Sequence, residues 1–256
     1  MQFSGKGHPL SGDGMDAVCE MLGTGEPEIW AVLKVETRGF GYLADRRPLI
    51  LFERHIFHRL TGGKFSAAHP DISNRKPGGY KGLAAEYPRL EKAMELDREA
   101  ALKSASWGLG QIMGFNHEVA GYGSAEEMVA AFVGSEDAQL AGVGKFISKN
   151  AKCLNGIKRR DWGSFAACYN GPDFRKNHYD TRLAAAFATY RQMLPDIGLR
   201  AAQAALTYVG IDPGPVDGLP GRRTTGALTD FQEKAGLPEH GILDEDTWDK
   251  LKAAAF

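Results

Sequence analysis

An excess of charge of one sign is the first thing this chain lacks. Its 31 basic groups nearly cancel its 32 acidic ones, so the electrostatic footprint of a nucleic-acid binder is missing. The local cluster Lys158-Arg159-Arg160 reads as a solvated loop. Long apolar runs are also missing, and none approaches the ~18–20 residues that span a bilayer. Met1-Gln2-Phe3-Ser4-Gly5-Lys6 lacks the basic start and apolar stretch of a secretory signal, so a cytoplasmic protein is expected. Cysteine is scarce. Cys19, Cys153 and Cys168 form no CxxC pair and have no metal-ligand spacing, and buried free thiols are expected. His55 and His58 stand three apart without an HExxH frame, and there is no GxSxG elbow or Walker-type loop. Neither a metal nor an organic cofactor is implied.

Helical patterning is abundant. Met15, Val18, Cys19 and Leu22 recur at i, i+3, i+4 and i+7, predicting a helix over 12–22. Pro27 suits the first turn of a second helix, which runs to Glu36 and exits through Thr37-Arg38-Gly39-Phe40-Gly41. Residues 38–52 are turn-rich, with a small hairpin expected around Asp45-Arg46-Arg47-Pro48 and a helix over 51–60. Residues 61–82 are rich in Gly, Pro, Ser and Asn and read as a long surface loop, a feature often functional in a compact domain. Helical patterns return over 86–104, from Ser124 with its Ser-x-x-Glu cap signature, and over 161–169 and 178–193. Pro195-Asp196-Ile197-Gly198 interrupts the pattern. Beyond it, residues 198–256 carry a net −3 against +2 for the rest and read as three short helices. Two domains are expected, over 1–193 and 198–256, mainly α with a minor β element.

Among the carboxylates, Glu36 is the most informative. It continues the apolar stripe Ile29, Val32, Leu33, and a carboxyl placed there is desolvated and holds its proton to higher pH. Such an acid suits protonation of a glycosidic oxygen. By helix pattern alone, a solvated glutamate or a pair with Arg38 stays open. Glycoside hydrolases usually add a second carboxylate. Glu53, on a helical face with Phe57 and Leu60, is the first candidate, although a buried ion pair with Arg54, His55 or Arg59 also explains it; Asp45 is the alternative.

Three ordered segments resemble the lysozyme superfamily in its goose-type and phage N-acetylmuramidase branch, over roughly residues 10–192. They are Val35-Glu36-Thr37-Arg38-Gly39-Phe40 with Leu51-Phe52-Glu53-Arg54-His55, then Ala105-Ser106-Trp107-Gly108-Leu109-Gly110-Gln111-Ile112-Met113, then Ala167-Cys168-Tyr169-Asn170-Gly171. The resemblance implies an α+β lysozyme-like fold with Glu36 as general acid. It makes Gln111, Tyr169, Asn170, His55 and Gly108 candidate substrate contacts. The tail resembles the peptidoglycan-binding domain of wall hydrolases, through Gly214-Pro215-Val216-Asp217-Gly218, Phe231-Gln232 and Gly241-Ile242-Leu243-Asp244. Together these imply a monomeric endolysin-type muramidase that waits in the host cytoplasm and acts on bacterial peptidoglycan after release. A lytic transglycosylase, a non-catalytic wall-binding phage protein and a wall peptidase are the rivals.

Overall fold

A computed structural model of the chain describes residues 3–37 and 39–256. Thirteen α-helices, three short 3-10 helices and one small sheet make up its regular structure among these residues. The helices of the larger unit are α1 (Gly12–Leu22), α2 (Glu26–Thr37), α3 (Arg54–Leu60), α4 (Tyr87–Leu96) and α5 (Arg98–Lys103), then α6 (Ala125–Gly134), α7 (Glu136–Ser148), α8 (Ala151–Arg159), α9 (Trp162–Tyr169) and α10 (Tyr179–Tyr190). Strands β1 (Ile50–Phe52), β2 (Ala105–Trp107) and β3 (Ile112–Met113) form an antiparallel sheet in the order β1-β2-β3. Helices α11 (Ile197–Tyr208), α12 (Arg222–Ala235) and α13 (Glu245–Ala255) gather around a separate hydrophobic core that includes Leu206, Leu228, Phe231 and Leu251.

Local chemistry accounts for the helix starts. Ser11, Ser124, Ser135, Asp161, Asp196 and Asp244 each cap a helix with a side-chain oxygen that accepts an otherwise orphaned N–H. Helix α2 starts with Glu26 and Glu28, which complement its dipole. Ile29, Trp30, Ala31, Val32, Leu33 and Val35 of α2 are all buried. The helix is thus enclosed on nearly every side rather than along one stripe, with α10 and α1 packed against it. That central position makes it a rigid mount for the residue at its end.

The small hairpin expected around Asp45–Pro48 is there, as a tight turn closed by Leu43–Arg47 and Leu49–Gly41 backbone bonds around an isolated Tyr42–Pro48 bridge. The three-stranded sheet begins only after it, and two other expectations are corrected. Its first strand takes the start of the expected helix over 51–60, because Ile50, Leu51 and Phe52 find Trp107, Ser106 and Ala105 as partners. The cysteines are not all free: Cys153 on α8 and Cys168 on α9 are joined in a disulfide, with 5.5 Å between their Cα atoms, leaving Cys19 as the free thiol. Packing of two adjacent helices sets that distance, which a 15-residue spacing does not reveal. Opening the bridge with Cys153→Ser should cost about 3 kcal/mol by the loop-closure estimate for ~15 residues, read as a lower urea midpoint. Identical midpoints with and without reductant would count against the bridge.

Candidate active site

Glu36 lies in the last turn of α2, where the chain leaves toward Gly39 and Gly41. Its carboxyl keeps some solvent access but sits among α9 and α10, and burial raises its pKa to about 7, against the smaller opposing effects of the Asn170 hydrogen bond and the Arg182 charge. Asn170 Nδ2 donates to Glu36 Oε1 at 2.7 Å, across 134 residues of sequence. Asn170 Oδ1 is buried without a hydrogen-bond partner among the described residues. Arg182 donates to Val35 O at 3.0 Å, which anchors the guanidinium beside the acid. The alternative partner Arg38 lies outside the described residues.

The turn between β2 and β3 forms the neighbouring wall. Thr37 Oγ1 donates to Leu109 O at 2.9 Å and Tyr169 Oη donates to Gly110 O at 2.8 Å. The turn is thereby tied to both the end of α2 and the end of α9. Gly108 has φ of 65°, and a Cβ there or at Gly110 would collide with Gln139 or Val143, so the close approach of turn and α7 requires glycine at both positions. Gln111 accepts from Ser106 Oγ at 2.8 Å and donates to Gly108 O at 2.9 Å and to Leu49 O at 3.3 Å. Its amide laces the hairpin to the segment entering β1. Gln111 and Tyr169, which the resemblance marks as candidate substrate contacts, use these polar groups to shape the wall.

Glu53 follows β1 and occupies the N-cap position of α3 without capping it by its side chain. Buried Glu86 and Arg89, paired at 2.5 Å, grip the preceding residue: Phe52 N–H donates to Glu86 and Phe52 O accepts from Arg89. The carboxylate of Glu53 is instead aimed at Tyr80, whose hydroxyl lies 2.9 Å from both oxygens, and at His55 Nδ1, 3.0 Å away without the alignment of a hydrogen bond. Burial, then the Glu53 contact, pushes the Tyr80 phenol up to about 12. Tyr80 reaches Glu53 because Arg54 holds the 61–82 loop through Lys76 O and Pro77 O. Asp45 is elsewhere. Burial nudges its carboxyl up, but hydrogen bonds from Arg47 outweigh this and hold it below the usual range.

Sequence reasoning thus misses Arg182 and Tyr80. Arg182 is one arginine on an ordinary helix face. Tyr80 had a weak signal, as an aromatic within a glycine-rich loop long enough to suggest function.

Comparison with known proteins identifies the family. Residues 26–191 match the N-acetylmuramidase family and residues 197–251 match a peptidoglycan binding domain. A solved phage endolysin from Burkholderia phage AP3 superposes with a TM-score of 0.67 at 36% sequence identity, covering 72% of this chain and 73% of that one. No curated protein sequence matches. The chain belongs to the N-acetylmuramidase family, and it is a glycoside hydrolase of peptidoglycan.

Proposed function

We propose that this enzyme lyses bacteria as an endolysin, hydrolysing the β-1,4 bond between N-acetylmuramic acid and N-acetylglucosamine with Glu36 as general acid. The observation that carries this reading is a carboxyl with a pKa near 7, fixed at a helix end by Asn170. Because Asn170 donates to Oε1, the proton resides on Oε2, the oxygen left to meet the leaving group. As the C–O bond breaks and the sugar gains positive charge, Glu53 orients a water for attack or stabilises that charge. Tyr80 holds the Glu53 carboxylate in place, with His55 beside it. The enzyme acts as a monomer on the wall once it leaves the host cytoplasm.

Mass spectrometry of digested wall tests the reaction. New reducing ends are expected; 1,6-anhydro ends as the main product would make the enzyme a transglycosylase, and new amino groups a peptidase. Glu53→Gln should lower kcat by roughly 10²-fold or more while Asp45→Asn stays within a few-fold of wild type. The reverse order would transfer the role to Asp45.

A further inference from the structure

A cavity of about 630 Å³ opens between the two hydrophobic units, within the ~300–1,000 Å³ usual for ligand sites. Thr37, Phe40 and Leu83 line one side, and Ile211, Pro215 and Val216 line the other. The cavity borders the wall of the active site: Thr37, which lines it, holds the β2–β3 turn through Leu109, and Leu49, which also lines it, accepts from Gln111. A second cavity, of about 540 Å³, lies across Pro215 and is lined by Val35 and by Arg182, the cation beside Glu36. The 212–217 loop thus stands as a ridge against the end of α2. Lys34 lies 3.9 Å from Asp217, and a Cβ on Gly39 would sit 3.4 Å from Val216 O.

The chemistry of the first cavity selects its occupant. Its hydroxyls donate inward: Thr37 to Leu109 O at 2.9 Å, Tyr42 to Phe132 O at 2.7 Å, and Thr207 to Gln203 O at 2.9 Å. The Asp212 carboxylate at the rim is engaged by Arg223. A sugar buried here would leave hydroxyls without partners, which is costly, whereas methyl groups lose nothing. We propose that this cavity holds the methyl-bearing part of the peptidoglycan stem peptide, its alanyl groups, and that the 212–217 loop is a wall of the catalytic cleft. The inference rests on the glycan-cleaving reading above. It gives the C-terminal unit a direct part in recognising the substrate at the bond that is cut.

The test compares kcat/KM on intact sacculi with kcat/KM on the same glycan stripped of stem peptides by an amidase, both read as new reducing ends. Wild type should prefer the intact wall about tenfold, the worth of burying roughly two methyl groups. That preference should collapse toward one in Ala44→Trp, which sets an indole across the cavity from an exposed rim position, and in Leu83→Ala, which removes a side chain 69% exposed. Neither substitution touches the hydrophobic core, and either alone decides. Equal wild-type rates on the two substrates, or a preference that survives in the variants, would overturn the stem-peptide site. Absence of new reducing ends from both substrates would instead overturn the muramidase reading, and this inference with it.

Discussion

Glu36→Gln should abolish wall hydrolysis by about 10²–10⁴-fold, the range of a lost general acid, while leaving binding to the wall intact. The same substitution should stabilise the protein at alkaline pH. In the fold the Glu36 carboxyl keeps its proton up to about 7, whereas an ordinary glutamate releases it at 4.5. The folded state therefore binds more protons than the unfolded one between those values, and stability falls as pH rises through that window. Above about 7 the penalty is complete and on the order of 3 kcal/mol, since every tenfold change in proton affinity corresponds to about 1.4 kcal/mol. Glutamine carries no charge to bury, so the variant should gain most of that amount at pH 8 and nothing near pH 4. Wild-type kcat/KM should fall above about pH 7, as the acid loses the proton it must donate. Urea midpoints of both proteins at the two pH values, with a pH–rate profile, check these outcomes. A variant no more stable than wild type at pH 8 would mean that the carboxyl is better solvated than its burial implies.

Arg200→Ala is expected to destabilise the whole protein by about 3–5 kcal/mol. Arg200 on α11 and Glu136 at the start of α7 are both fully buried and paired at 2.6 and 2.8 Å. Arg200 also donates to Gly39 O, while Glu136 accepts the backbone N–H of Leu10 and Gly41. Removing the guanidinium strands a carboxylate in a dry site and frees the segment that follows Glu36. Activity should therefore fall alongside stability. Lys34→Ala, which loses only the long, partly exposed contact to Asp217, should change stability by less than about 1 kcal/mol. Urea denaturation of both variants gives the comparison. Equal losses would show that the buried pair is not what joins the two units.

Much of the fold is legible in the sequence because the signals are local. The serine and aspartate caps, the apolar spacing of α1 and the glycines around Leu109 act within a few residues of themselves. Glu36 is recognisable because a carboxylate on an apolar stripe is unusual wherever the helix packs. The sheet is not legible. A strand of three residues has too little sequence to declare itself, and β1 exists only because β2 lies beside it. Nor are the bonds by which Gln111 and Tyr169 hold the wall together legible, since their partners are set by the packing of separate segments.

From the sequence alone followed the order of helices, the match of its two parts to a muramidase and a peptidoglycan-binding domain, and the candidate for the residue that gives the proton. Only the tertiary structure decided what surrounds that residue. Asn170 reaches it across 134 positions, and the Arg200–Glu136 pair that braces its exit spans 64. Helical periodicity and capping are short-range and repeat along the chain. Desolvation and charge pairing depend on distances between segments far apart in sequence, and only the packed fold sets those.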